Sequence, residues 1–253
     1  MLHNQYAIML EPITLYCLPC AGARATMYLR WKKLLPSWIT VKPVELPGRG
    51  CRVSELPQES YATLTENLCD ELASTLPERY ALFGHSMGAL LAYGIAQGLS
   101  ARKLPLPTAL LVAGCAAPSR QDSGRYHKIQ SEAALIADLS KQGGTPKEVF
   151  DNQELLRMTL DLLRVDYRVC GSFEYAQLPP LPIPIHCFGG RADEINAVRL
   201  NDWRMESTQA FTLDWFDGGH FFLRHSEEWF MFTLKKRLLE SRMETLRGMF
   251  ATA

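Results

Sequence analysis

Short apolar runs alternate with stretches of helical spacing along most of this chain. The apolar runs, at residues 13–18, 41–46, 80–85, 109–115, 183–189 and 211–216, have the length and composition of strands. Apolar residues recur every three to four positions at 25–35, 59–74, 87–100, 195–206 and 226–240, which is typical of amphipathic helices. Continuous apolar strands separated by helices predict an α/β fold, with a mostly parallel central sheet and helices on both faces.

One interval breaks this alternation. Between residues 119 and 178 no run resembles a strand, and helical spacing occurs at 131–140, 145–150 and 152–170. Such a stretch is too long for a plain crossover between two strands. We therefore expect one domain, residues 1–253, with a helical lid inserted at about residues 119–178. Open α/β sheets bind ligands at the carboxyl ends of their strands, and we expect the lid to lie over that edge.

The composition is that of an ordinary globular chain, with 47% hydrophobic and 21% charged residues among 253. The 27 basic and 27 acidic residues give no net charge, which argues against nucleic-acid binding. The charge is unevenly distributed, since residues 21–52 hold seven Lys or Arg and one Glu, a net +6.

Neither a signal peptide nor an apolar stretch of roughly 20 residues is found, which predicts a cytoplasmic protein without membrane attachment.

The seven cysteines do not form a recognisable metal or disulfide pattern. Cys17 and Cys20 have the C-x-x-C spacing, but no second pair completes a zinc site. Cys17, Cys115 and Cys187 lie in apolar runs, where a thiol packs as a small hydrophobic group. We expect no metal site and no redox role.

Gly84-His85-Ser86-Met87-Gly88 matches the pattern G-x-S-x-G between a predicted strand and a predicted helix. In that setting the pattern is typical of a nucleophile elbow, a sharp turn that presents the serine oxygen at the top of the sheet. The alternative is a glycine-bounded turn with an incidental serine. The flanking strand and helix favour Ser86 as a catalytic nucleophile.

A serine nucleophile needs a base. His220 is the candidate, because it lies in a loop just after the last predicted strand, at the edge of the sheet where Ser86 lies. His85 lies inside the elbow, and mid-strand His186 is interpreted as a buried structural residue. The other histidines are in the N-terminal tail, the lid and the start of the last helix: His3, His127 and His225.

The base in turn needs an acid that fixes its tautomer, and the usual chain order is Ser, Asp or Glu, then His. Asp193 follows the strand at 183–189 and emerges at the same edge as Ser86. Asp122 is the competing acid, and Glu194 is a third candidate.

Two backbone N–H groups are expected to bind a developing oxyanion. One belongs to Met87, the residue after the nucleophile, and the other to the loop after the first strand. In that loop the Ala21 N–H is the candidate, with Cys20 as the alternative.

Six segments of the chain together resemble the type II thioesterases that accompany nonribosomal peptide and polyketide synthases, a branch of the α/β-hydrolases. The segments are 18–22 (Leu-Pro-Cys-Ala-Gly), 46–52 (Leu-Pro-Gly-Arg-Gly-Cys-Arg), the elbow 84–88, 163–168 (Leu-Arg-Val-Asp-Tyr-Arg), 188–193 (Phe-Gly-Gly-Arg-Ala-Asp) and 218–223 (Gly-Gly-His-Phe-Phe-Leu). The resemblance implies the α/β-hydrolase fold and a triad of Ser86, Asp193 and His220.

The resemblance also implies hydrolysis of acyl, peptidyl or polyketide thioesters on the 4′-phosphopantetheine arm of carrier proteins, which clears stalled units or releases intermediates. The expected partners are phosphopantetheinylated carrier proteins and the acyl thioester substrate, and the expected protein is a monomer without a cofactor. A small-molecule carboxylesterase or lipase of the same fold is the alternative.

Arg49 and Arg52 lie in the basic segment near the predicted oxyanion loop. Positive charge there would attract the phosphate of the arm or an acidic carrier surface. The alternative is that these basic side chains simply lie on the solvated surface. We favour this alternative for Arg30, Lys32 and Lys33.

Overall fold

The computed structural model describes residues 11–251, with side chains up to residue 241. Its strands are β1 (Ile13–Leu18), β2 (Ile39–Pro43), β3 (Tyr80–His85), β4 (Leu110–Ala113), β5 (Ile185–Gly190) and β6 (Phe211–Phe216). They form one sheet in the order β2-β1-β3-β4-β5-β6, and every neighbouring pair is parallel. The predicted α/β fold with a parallel central sheet is confirmed.

Strand β2 lies earlier in the chain than the predicted run at 41–46. It pairs with β1 in a register that sets Ile39 against Ile13 and Pro43 against Cys17. Proline has no N–H to donate, so a strand ends readily at this residue. One further hydrogen bond, from the Val44 N–H to the Cys17 carbonyl at 2.9 Å, precedes the departure of the chain from the sheet.

Ten α-helices lie within the described residues. They are α1 (Trp31–Leu34), α2 (Tyr61–Ala73), α3 (Met87–Ala101), α4 (Gly124–Lys128), α5 (Glu132–Gln142), α6 (Lys147–Asp151), α7 (Gln153–Gly171), α8 (Ala197–Asn201), α9 (Phe222–His225) and α10 (Glu227–Ala251). The helices predicted at 25–35 and 195–206 are each divided into a short α-helix and a 3₁₀ segment, Ala25–Tyr28 and Asp202–Glu206. Helices α4 and α9 lie outside the predicted helices.

The core has one layer on each face of the sheet. Helices α2 and α3 bury leucines such as Leu64, Leu68 and Leu91 against one face. Helices α1 and α10 cover the other face with Trp31 and Phe230. The predicted helices on both faces are therefore observed.

Helices α4–α7, which we call the lid, connect β4 to β5. Two of them begin at capping residues: Ser131 accepts a hydrogen bond from the Ala134 N–H before α5, and Asn152 accepts from two N–H groups of α7. The lid has its own apolar cluster of Leu135, Leu139, Leu160, Leu163 and Tyr167. The division of the chain into a single domain with this insertion stays a prediction.

No helix among residues 11–251 is long and apolar enough to cross a membrane.

Phe230 of α10 tests the packing of the second face. Its ring is fully buried and lies 5.3–6.0 Å, centroid to centroid, from the rings of Trp31, Phe83, Phe188, Phe216 and Phe222. Phe230→Ala should lower the free energy of unfolding by about 3–5 kcal/mol, because the surrounding rings only partly fill the cavity that it leaves. Urea denaturation measures this change.

The matched control is Phe232→Ala, two positions further along the same helix, where the side chain is 52% exposed. We expect this control to cost less than about 1 kcal/mol. Equal losses in the two variants would contradict the assignment of Phe230 to the core.

Candidate active site

Ser86 occupies the turn between β3 and α3. Its backbone has φ 54° and ψ −121°, a positive φ that costs a residue other than glycine about 1–3 kcal/mol. The Ser86 N–H donates to the carbonyl of Ala113 in β4 at 2.8 Å, which ties the turn to the neighbouring strand. The predicted strand, turn and helix of a nucleophile elbow are all present.

Two glycines permit this turn. A Cβ atom at Gly84 would lie 2.0 Å from the Gly88 carbonyl oxygen, and one at Gly88 would lie 2.2 Å from the Leu18 carbonyl oxygen. Neither distance is possible for a side chain without movement of the backbone. The start of α3 therefore packs directly on the end of β1, and this brings Met87 close to the loop that follows β1.

The loops after β5 and β6 bring Asp193 and His220 together. His220 Nδ1 and Asp193 Oδ2 are 2.9 Å apart, and the two side chains are only 13% and 5% exposed. Because the carboxylate accepts, Nδ1 carries the proton and donates it to this bond. Nε2 is then left unprotonated in the neutral ring, as a general base requires.

Asp193 remains ionised despite its burial. Burial by itself raises the pKa of this carboxyl group, but the hydrogen bond from His220 and the positive charge of its protonated ring lower it, as do the backbone N–H groups of Ile195 and Glu194. The net effect is a pKa below the usual value for aspartate. A negative charge beside His220 stabilises the imidazolium that forms when His220 accepts a proton.

A single cavity of about 180 Å³ unites these groups. Its walls include Ser86, Met87, Ala21, Asp193 and His220. The lid covers it with Arg125, Tyr126, Lys141, Gln142, Tyr167 and Cys170. The structure thus brings together the predicted triad and both predicted oxyanion donors. It does not bring Arg49 or Arg52 into this cavity.

The competing acids are placed differently. Asp122 also lines the cavity, but its side chain is exposed and His220 Nδ1 is directed at Asp193. Glu194 pairs with Lys141 of α5 at the rim of the cavity. The geometry favours Asp193 over both alternatives.

Two other histidines are buried. Burial lowers the pKa of His186 to about 4, and its two ring nitrogens lie 2.9 Å from Thr212 Oγ1 and 2.6 Å from Ser241 Oγ, as expected for a structural residue. Burial also lowers the pKa of His85 to about 3, so this ring is neutral at pH 7. His85 Nε2 donates to the His220 carbonyl at 2.9 Å, which fixes the backbone of the base.

Comparison with known proteins decides the family, because residues 13–236 match the thioesterase domain family. The chain belongs to the thioesterase family. Gramicidin S biosynthesis protein GrsT of Aneurinibacillus migulanus is 33% identical to it over 220 residues, which cover 85% of this chain and 84% of GrsT.

Two solved structures show the same likeness. The RedJ thioesterase from the prodiginine biosynthetic pathway of Streptomyces coelicolor has a TM-score of 0.84 and 34% identity, over 90% of this chain and 91% of RedJ. The type II thioesterase BorB from the borrelidin biosynthetic cluster has a TM-score of 0.81 and 36% identity, over 91% and 93% of the two chains. The resemblance to type II thioesterases stated from the motifs is confirmed.

Both arginines of the basic segment that were predicted to bind the carrier arm form ion pairs. Arg49 is buried in an ion pair with Asp166 of the lid. Arg52 bonds to Glu55 and Glu71 on the surface. The role of these two arginines in binding a carrier arm stays a prediction, and the burial of the Arg49 guanidinium leaves it no free face for a phosphate.

Sequence reasoning missed a polar cluster in the lid of the thioesterase. Asp138 accepts hydrogen bonds from Arg125 at 3.0 Å, from Gln142 at 2.8 Å and from the Tyr167 hydroxyl. The three donors line the cavity, so Asp138 holds its roof in place. The spacing of Asp138 and Gln142 by four residues on a helix was the local signal for one of these bonds.

The cysteines of the thioesterase are all free, and no group of three His, Cys, Asp or Glu side chains within the described residues is arranged to hold a metal ion. Cys20 lies in the loop that follows β1 and is buried. Burial raises the pKa of its thiol to about 12, and the charge of Asp166 contributes to this increase. Burial raises the pKa of Cys115, in the cavity wall, to about 12 as well.

These thiols should therefore be inert in the folded thioesterase. At pH 8 only about one in 10⁴ molecules of a thiol with a pKa of 12 is ionised, and the thiolate is the form that reacts. Iodoacetamide should modify exposed Cys51 and leave Cys20 and Cys115 unmodified, as measured by peptide mass spectrometry. Alkylation in guanidinium chloride, which should modify all three, is the control. Equal rates at Cys20 and Cys51 in the native protein would contradict this account.

Proposed function

We propose that this protein is a serine thioesterase that hydrolyses acyl, peptidyl or polyketide thioesters on the 4′-phosphopantetheine arms of synthase carrier proteins. The observation that carries the proposal is the 2.9 Å contact between His220 and Asp193 in the cavity that Ser86 also lines. The relatives support the substrate class, because GrsT, RedJ and BorB are named for the biosynthesis of gramicidin S, prodiginine and borrelidin. Its partners are phosphopantetheinylated carrier proteins, on which it acts as a cytoplasmic monomer.

Acylation begins when Ser86 attacks the thioester carbonyl. His220 Nε2 takes the hydroxyl proton as the new C–O bond forms, while Asp193 holds Nδ1–H and stabilises the imidazolium. The tetrahedral intermediate then collapses with cleavage of the C–S bond. The departing pantetheine sulfur receives the proton from His220 and leaves as a thiol.

The negative charge of the intermediate falls on the former carbonyl oxygen. The Met87 N–H is available to it because the first residue of a helix has no intrahelical acceptor for its N–H. Ala21, whose N–H is the second donor of the proposal, lies in the wall of the same cavity. Two such donors, fixed before the reaction, stabilise the oxyanion more than the neutral carbonyl.

Deacylation repeats these steps with water. His220 takes a proton from the attacking water molecule and returns it to Ser86 Oγ as the acyl C–O bond breaks. The products are a free carboxylic acid and the restored serine. Every proton is moved by a group of this chain, so the mechanism needs neither a metal nor a cofactor.

The first experiment separates the thioesterase from the alternative carboxylesterase. A carrier protein is loaded with one acyl group through the pantetheine sulfur or, in a matched sample, through oxygen at the same position. We expect a higher kcat/KM on the thioester, measured by mass spectrometry of the carrier, and no hydrolysis by Ser86→Ala. A higher kcat/KM on the oxygen ester would favour the carboxylesterase and contradict the proposal.

The second experiment tests the acid of the triad. Asp193→Asn should lower kcat roughly 10⁴-fold, because an amide no longer favours the tautomer with the proton on Nδ1. Asp122→Asn, a change of the same kind in the same cavity, should leave kcat close to that of the wild type. Steady-state kinetics on an acyl-pantetheine thioester measures both, with circular dichroism as the check on folding. The opposite ranking would assign the acid to Asp122.

A further inference from the structure

Two segments that the proposed reaction leaves unused meet inside the protein. Arg49 comes from the loop after β2, and Asp166 comes from α7 of the lid, 117 residues later. The two side chains are 2% and 1% exposed and form two parallel contacts, Nη2 to Oδ1 at 2.5 Å and Nη1 to Oδ2 at 2.7 Å. Each belongs to a segment that carries the family resemblance, 46–52 and 163–168.

The same two side chains hold residues 20–23, which we call the oxyanion loop. Asp166 Oδ2 accepts a hydrogen bond from the Gly22 N–H at 2.7 Å. Arg49 Nη1 donates to the Ala23 carbonyl at 3.0 Å. The peptide groups that follow Ala21 are therefore fixed from two directions by a pair of opposite charges.

The lid also contacts this loop by packing. Gly22 has φ +74°, and a Cβ atom on it would lie 3.3 Å from Leu163 Cδ1 of α7. The loop therefore packs closely against the helix that carries Asp166. A shift of α7 away from the sheet would remove the packing and the Gly22 hydrogen bond together.

Stability alone is a poor explanation for this ion pair. The hydration free energy lost when two charges are buried offsets much of their mutual attraction. A protein with an apolar pair of similar size in the same place is often as stable. Charge-assisted bonds with a bidentate geometry are, however, short and directional, so they fix a backbone more tightly than apolar contacts do. The pair is suited to hold a loop whose position matters to a fraction of an ångström.

We propose that Arg49 and Asp166 are positioning residues that hold the oxyanion loop so that the Ala21 N–H faces the developing oxyanion, and that this hole is complete only when the lid is seated. The inference rests on the proposed serine thioesterase mechanism. Neither side chain touches the substrate. Their effect passes through the backbone of Gly22 and Ala23 to the N–H of Ala21.

The double variant Arg49→Met with Asp166→Leu tests this role. It removes both charges at once and leaves no buried charge without a partner, so we expect the fold to be retained. We expect kcat on an acyl-pantetheine thioester to fall about 10²- to 10³-fold, the effect of losing one oxyanion donor, with KM nearly unchanged. Affinity for a boronic acid that forms a tetrahedral adduct with Ser86 should fall in parallel with kcat.

The matched control is Arg237→Met with Asp214→Leu. This pair is also bidentate, with two contacts of 2.7 Å, and joins α10 to β6 away from the lid and the cavity. We expect kcat and boronic acid affinity close to those of the wild type. Urea denaturation of both double variants shows whether their stability differs.

Equal kcat in the wild type and the Arg49/Asp166 double variant would overturn the inference. So would an equal loss in the Arg237/Asp214 control, which would show a general effect on the fold. If the double variant does not fold, Arg49→Lys is the second test. It keeps a positive charge beside Asp166 but loses the bidentate geometry of the guanidinium, and we expect kcat to fall about tenfold. An unchanged kcat in Arg49→Lys would then overturn the inference.

Failure of the proposed function is a separate outcome. It would be seen in the wild type, as hydrolysis of the oxygen ester in preference to the thioester. The same variants compared on that ester would still measure the positioning role, since both reactions pass through an oxyanion. If the wild type hydrolyses the thioester and the double variant does so equally well, the positioning role is rejected and the proposed function is not.

Discussion

The close approach of two backbones, at the start of α3 and the end of β1, is the constraint on which the rest of the site depends. Gly84 and Gly88 have no side chain, and no other residue fits there without a shift of the backbone. The approach places the N–H of Met87 beside the oxyanion loop and raises Ser86 above the sheet. It also imposes the positive φ of Ser86, a strain that the packing of β3 and α3 sustains.

The parallel sheet supplies the other half of the site. Since β3, β5 and β6 run in one direction, the residues that follow them emerge at the same edge. Ser86, Asp193 and His220 meet there although the first and the last lie 134 positions apart in the chain. A buried neutral His85 then fixes the His220 backbone from within the elbow.

The lid completes a cavity that the sheet leaves open, and a few directional contacts join the two. Asp166 contacts Arg49 and the oxyanion loop. Lys141 pairs with Glu194, the residue after Asp193. Arg224, four residues after the base, donates to the Gly144 carbonyl of the lid at 2.7 Å. Each contact ends within a few residues of a group that acts in the proposed reaction. The position of the lid and the geometry of the site are therefore linked by structure.

The sequence by itself determined the order of the strands along the chain, the elbow at Ser86 and the meeting of the loops that hold Asp193 and His220, because each depends on a local pattern or on the direction of strands in a parallel sheet. The choice of Asp193 over Asp122 needed the observed contact with His220. Tertiary structure alone decided the place of Arg49. The local excess of basic residues predicted an exposed positive segment. Arg49 is instead buried against the carboxylate of Asp166, 117 residues further along the chain. Burial and partner choice depend on which segments meet in space, and the spacing of residues along a chain does not encode that directly.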